Sequence, residues 1–186
     1  MKSTLLLLDQ RKTINEICQI ENKSRNTIYN RLIVACLLGI LEKNKDNYIF
    51  TAFGRNLLLK DDSISSEQFS ERQFIMLSDF VKENPFYSQI TFSIMSVVDT
   101  IFILSKAGYP VKYDIFKDFF IRSLGKDKTW IEGRSQHTGV YHFANYAKEL
   151  GFIHQIDNNI FLTPCGIQAI LIFQLNRSIQ LIKARA

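Results

Sequence analysis

Residues able to hold or read a nucleic acid gather in three stretches of this 186-residue sequence. The first is Lys23, Arg25, Asn26, Thr27, Tyr29, Asn30 and Arg31, and the second is the pair Lys43 and Lys45. The third runs Lys126, Lys128, Trp130, Arg134, Ser135, Gln136 and His137, followed by Tyr141, His142 and Asn145. Lysine and arginine neutralise phosphates, whereas arginine, asparagine and glutamine present paired donors and acceptors that match base edges. The bland alternative for the first and last groups is a solvated helix face. For the middle of the third stretch it is a solvated loop with Trp130 folded back onto the core.

Residues that could catalyse are poorly arranged. Asp9 followed by Glu21-x-Lys23 has the spacing of a metal-dependent nuclease centre, in which carboxylates hold a divalent ion near the scissile phosphate. Glu21 and Lys23, however, fall in a turn between two expected helices and not on a strand. His137, His142 and His154 lack a metal-ligand spacing, and Cys18, Cys36 and Cys165 are far apart in sequence. No glycine-rich phosphate loop or nucleophile elbow occurs. The chain by itself is expected not to be an enzyme, and neither cofactor nor metal is implied.

The elements that must position the three stretches are set by a duplication. Leu38 to Gly54, LGILEKNKDNYIFTAFG, returns as Leu150 to Gly166, LGFIHQIDNNIFLTPCG. Gly39, Asn47, Thr51 and Gly54 fall on Gly151, Asn159, Thr163 and Gly166 at a constant offset of 112, and Tyr29 and Ala35 fall on Tyr141 and Ala147. The register holds without insertion over 27 positions. Each copy reads as a helix ended by a left-handed glycine, a strand, a tight turn of asparagine and aspartate, a returning strand, and a threonine that caps a closing helix.

Upstream of the first hairpin, residues 3 to 10 are expected to be helical. A second helix has Ile14, Ile17 and Cys18 on one face, and a turn at Glu21–Lys23 leads to a third, capped by Ser24, from Arg25 to Leu38. Helix, turn, capped helix and hairpin is the order of a winged helix-turn-helix, whose second helix enters the major groove. The chain is therefore expected to be mainly α with small β-hairpin wings, an α+β protein of two winged helix-turn-helix units. Unit 1 spans residues 1–62, unit 2 spans residues 88–186, and residues 63–87 form a polar linker and a connecting helix over 67–82. In unit 2, helices are expected at Phe92–Lys106, Tyr113–Leu124 and Thr138–Leu150. Between the last two, Gly125 to Gly139 is the longest stretch without periodicity. The loop from Lys126 to His137 within it is expected to be mobile in the free protein and ordered on DNA, with Arg134 and Gln136 reading bases.

A hydrophobic content of 46% is enough for packed cores, and the net charge of +5 occurs in nucleic-acid binders and in many other proteins. Three widely spaced cysteines form no disulfide or zinc framework. No apolar run approaches the roughly 18 residues of a membrane span, and Leu5 to Leu8 is too short for a signal-peptide core. A cytoplasmic location with no membrane partner is the expectation.

One family resemblance joins these segments. The hairpin and TAFGRNLL (51–58), then ERQFIMLSDFVKENPFY (71–87), FSIMSVVDTIFILSKAG (92–108), YDIFKDFFIRSL (113–124) and FANYAKELGFIHQIDNNIFLTPCG (143–166) follow one another in an order that resembles the DNA-recognition region of type IIS restriction endonucleases of the FokI and AlwI kind. That resemblance implies tandem winged helices, double-stranded DNA as partner, and a nuclease domain or subunit supplied from elsewhere, since the nuclease domain of those enzymes has no counterpart in these residues. Three readings follow. The chain is a sequence-specific DNA-binding component of a restriction or defence system, a transcriptional or plasmid-replication regulator of the same fold, or a winged-helix module that docks another protein. The oligomeric state is left open.

Overall fold

The computed structural model describes residues 1–45, 47–59, 68–125 and 134–184, with Arg134 and Ser135 described only as backbone. Those residues form two compact units, 1–77 and 78–186. The protein is mainly helical with two small antiparallel sheets, the α+β class expected.

Unit 1 begins with α1 (Lys2–Asp9), α2 (Ile14–Glu21) and α3 (Arg25–Leu37). Thr13 starts α2 with a reciprocal cap: its hydroxyl accepts from the Glu16 amide while the Glu16 carboxylate accepts from the Thr13 amide. Asn22 takes the left-handed conformation at φ 49°, which ends α2 and makes the turn. Ser24 then caps α3 by accepting from the Thr27 amide. Leu5, Ile17, Ile28, Leu32 and Ala35 close between these helices with no exposed surface. Each large side chain so buried is worth about 1.5–3 kcal/mol.

The hairpin follows. β1 (Leu41–Asn44) pairs with β2 (Asn47–Phe50), Leu41 opposite Phe50 and Asn44 opposite Asn47. After it come α4 (Ala52–Leu59) and α5 (Glu71–Glu83). The connecting helix thus starts later than expected, because Ser70 and Gln73 cap each other across its first turn. The same Gln73, fully buried, donates its side-chain amide to the Leu57 carbonyl at 2.8 Å and so tethers the end of α4. The division between the units falls inside α5.

Unit 2 is built around α6 (Gln89–Ser105). Its apolar residues are not confined to one face, and Thr91, Ser93, Ser96, Asp99 and Thr100 are buried along with Ile94, Met95, Val97, Val98 and Ile101. A helix buried on all sides must be central. Around it pack α7 (Tyr113–Ser123), α8 (Arg134–Glu149), α9 (Pro164–Lys183) and the sheet. In that sheet β4 (Ile153–Ile156) pairs with β5 (Asn159–Leu162), Ile153 opposite Leu162, so both expected hairpins exist. A short strand β3 (Val111–Lys112) adds to the far side of β5 in the order β3-β5-β4. Two residues carry no readable periodicity, and the preceding Gly108-Tyr109-Pro110 reads only as a helix stop.

A second difference concerns α8. It begins at Arg134, four residues before the expected Thr138, so Arg134–His137 belong to a helix and Gly139 lies within it. Glycine disfavours helix by about 1 kcal/mol relative to alanine, but complete burial of Val140 and Ala147 on the next turns outweighs that.

Asp99 is the sole charge of α6 and is 8% exposed. It accepts from the Gln174 side-chain amide at 2.5 Å and lies 3.5 Å from Arg177 of α9. Burial pushes its carboxyl above the ordinary value near 3.8, while the Gln174 hydrogen bond and the Arg177 and Lys106 charges pull it back. A raised folded pKa means that the folded state holds this proton more tightly than the unfolded one. Ionisation therefore destabilises above the folded pKa, and the penalty disappears as pH falls through it towards 3.8. Asp99→Asn is expected to be at least as stable as the parent near pH 7, with an advantage that shrinks as pH falls towards about 4. Urea midpoints across that range check this, and an advantage that grows on acidification contradicts it.

Candidate nucleic-acid interface

The local geometry of the hairpin is the same in both units, and it places the helix before it. Thr51 accepts from the Gly54 amide at 2.9 Å and turns its own hydroxyl proton to the Gly39 carbonyl at 2.6 Å. Thr163 does the same with Gly166 at 2.9 Å and Gly151 at 2.5 Å. The threonine amides reach the Ile40 and Phe152 carbonyls, both at 3.1 Å. One side chain thereby caps the closing helix and ties it to the end of the helix that precedes the hairpin. Gly39 and Gly151 adopt φ 71° and 75° at that junction.

In unit 1 the α3 face opposite Ile28, Leu32 and Ala35 presents Arg25, Asn26, Tyr29 and Asn30 to solvent, and Lys23 is exposed in the turn. The first turn of α3 holds no acidic residue, so its positive helix end is not neutralised there. Thr27 is half-buried, and its hydroxyl lies 2.9 Å from the capping hydroxyl of Ser24. The hairpin is clamped onto this face. Lys43 donates to the Tyr29 hydroxyl at 3.1 Å and sits 5.6 Å from the centre of its ring. Tyr29 in turn meets Tyr48 edge-on at 6.3 Å. The Tyr48 hydroxyl is pushed up to about 12, by burial first and then by the neighbouring Tyr29. Lys45, at the turn with φ 54°, is exposed.

Arg31 has a different surrounding. Its guanidinium donates to Glu21 and, at 3.1 Å, to the Thr4 hydroxyl. Glu21 also accepts from Ser3 at 3.0 Å and Thr4 at 2.7 Å. Arg31 therefore braces α1, α2 and α3 against one another, and the carboxylate weighed above as a metal ligand is occupied in the same brace.

Unit 2 repeats the framework with other chemistry. On α8, His137, Tyr141 and His142 are exposed, while Gln136 and Asn145 are half-buried. Tyr141 and His142 pack edge-on at 5.9 Å. Lys126, Lys128 and residues 126–133 of the loop expected to be mobile lie outside the described residues, as do the Arg134 and Ser135 side chains. The last residues of that stretch, 134–137, are the first turn of α8 and not a loop. At the fixed offset Lys43 becomes Gln155, Lys45 becomes Asp157 and Arg31 becomes Phe143. Phe143 meets Phe120 edge-on at 6.3 Å, an apolar contact at the position of the ionic brace. Near the hairpin turn, Asn158 donates to Asp114 at 3.2 Å, and Lys112 donates to Asn159 at 2.8 Å. Burial, with Asp114 and Tyr141 close by, raises the Tyr113 hydroxyl.

No protein-family model matches the chain, and no curated protein or solved structure is significantly similar to it. The candidate surface therefore rests on its own geometry. Among the described residues no group of three or more histidine, cysteine, aspartate or glutamate side chains is placed to hold a metal ion, and no helix is long and apolar enough to cross a membrane.

Sequence reasoning missed Tyr48, Lys112 and Asp114. Tyr48 had a readable signal, an aromatic residue directly across the hairpin from Lys43. Lys112 and Asp114 had none, because their partners Asn159 and Asn158 are 47 and 44 residues away.

Proposed function

We propose that this protein binds double-stranded DNA, with α3 of unit 1 in the major groove and the β1–β2 hairpin along the flanking backbone. One observation carries the reading. Arg25, Asn26 and Asn30 stand exposed in the first half of a helix that lacks an acidic first turn, beside a hairpin that bears Lys43 and Lys45. Arg25, Asn26 and Asn30 are of the types that read base edges, and Lys45 is placed to touch phosphate. Lys43 is held on Tyr29 and sets the angle between hairpin and helix. Unit 2 contributes through His137, Tyr141 and His142 on α8, with a less basic hairpin. The order of segments favours a recognition component of a restriction or defence system, in which cleavage belongs to another domain or subunit.

Selection of binding sites from random duplexes, followed by titration at several salt concentrations, tests this. Affinity should fall steeply with salt, since each neutralised phosphate contributes nearly one unit to the log–log slope. Arg25→Ala should weaken the selected site by about 1–3 kcal/mol and relax preference at one base pair. Lys45→Ala should weaken all sequences alike and lower the salt slope by about one. Salt-independent binding to a protein partner, with no duplex enriched, would replace this reading by the docking-module one.

A further inference from the structure

Helix α9 buries Gly166, Ala169, Ile170 and Phe173 in unit 2. Its opposite side presents Ile167, Leu171, Leu175, Ile179 and Ile182, exposed by 48, 63, 63, 39 and 68%. Their spacing of four, four, four and three residues keeps them on one face of the helix. No aspartate or glutamate occurs from Pro164 to the end of the sequence, and the stripe itself holds no charge. A contiguous apolar patch of about 500 Å² is as large as the largest patch on a typical soluble protein, and such patches are often functional.

We propose that this stripe is where two copies of the chain pair, α9 against α9, antiparallel about a two-fold axis at Leu175. The symmetry of the stripe, its charges and its area fit that occupant, its direction and its strength in turn. A two-fold contact uses the same patch twice, and an axis at Leu175 sets Leu171 against Ile179 of the other copy and brings Ile167 to the end that carries Ile182. The charges select the direction. The helix carries only Arg177 and Lys183, and Arg177 is drawn to Asp99. Antiparallel pairing separates the two Lys183 residues by about 24 Å at 1.5 Å per residue, beyond the roughly 8 Å screening length, whereas parallel pairing sets them side by side. The area sets the strength. Five side chains with about half their surface free bury on the order of 1,000 Å² between two copies, the lower bound of a specific interface, so the dimer is reversible and not obligate.

Sedimentation equilibrium of the full chain over a range of concentrations tests the pairing, and it is independent of any DNA. A reversible dimer is expected, and Leu171→Glu and Leu175→Glu should each raise its dissociation constant at least about a hundredfold, because a carboxylate would be buried against Ile179 of the other copy in the first case and against a second carboxylate in the other. Both positions are exposed within the unit, so the circular dichroism spectrum should not change, nor the melting temperature at concentrations where the parent is monomeric. On mild oxidation Leu175→Cys should cross-link to itself across the axis, while Ile182→Cys and the unsubstituted chain should not. A chain that stays monomeric at every concentration overturns the proposal, as does a dimer that survives both glutamates. Cross-linking by Ile182→Cys, with or without cross-linking by Leu175→Cys, overturns the antiparallel axis.

Discussion

Gly166→Ala is expected to destabilise unit 2 by about 3 kcal/mol or more, and Gly54→Ala to do the same to unit 1, because in each case the new methyl group meets backbone that cannot swing aside. A Cβ on Gly166 would lie 2.0 Å from the Phe152 carbonyl oxygen, and one on Gly54 would lie 2.0 Å from that of Ile40. Each carbonyl is already held by a threonine amide at 3.1 Å, so relief of the clash breaks the bond that closes the hairpin against its helix. Two other glycines calibrate the series. Gly151→Ala meets no atom within 4 Å but sits at φ 75°, so it should lose only the left-handed strain of about 1–2 kcal/mol. Gly108→Ala has open space and no such φ, and it should be near neutral. Urea unfolding, followed for more than one transition because the chain divides into two compact units, ranks the four. Gly166→Ala as stable as Gly108→Ala would refute the close approach.

Arg31→Ala is expected to destabilise unit 1 by about 2–3 kcal/mol and to leave DNA affinity unchanged wherever the protein stays folded. The Glu21 side chain is 8% exposed and Arg31 28%, so removal of the cation strands a mostly buried carboxylate with the Ser3 and Thr4 hydroxyls as its donors among the described residues. The value is set below that of a fully buried pair because water reaches the guanidinium. Glu21→Gln combined with Arg31→Met should recover much of the loss, as neither substitution then leaves a charge unmatched. Phe143 at the equivalent position of unit 2 already fills that place without a charge. Denaturation midpoints together with titration of a selected duplex separate the two roles. Weaker DNA binding at full stability would return Arg31 to the reading surface.

Much of the framework could be read from the chain alone, since its determinants are local. Ser24 before Arg25, Gly39 and Gly151 after helices, and a tight turn of asparagine and aspartate between apolar segments each act within about four positions, and the 112-residue repeat showed the hairpin twice. The fold class and both hairpins followed from these. The composition of the candidate surface was legible as well, since Asn26 and Asn30 are neighbours at i,i+4 and Arg25 joins them through Tyr29, four residues on.

Tertiary structure decided what depends on distant partners. Sequence placed Arg31 with the reading residues, yet Glu21 and Thr4 claim it. It placed Lys43 with Lys45 as a phosphate contact, whereas the Lys43 ammonium donates to the Tyr29 hydroxyl. It did not show β3, whose partner strand β5 starts 47 residues after Lys112, nor that Gly54 and Gly166 are required by the Ile40 and Phe152 carbonyls. Sequence pattern records which face a side chain occupies, because that is geometry along one element. Which of several charged or polar groups wins a given partner is a competition among groups brought together only when the elements pack.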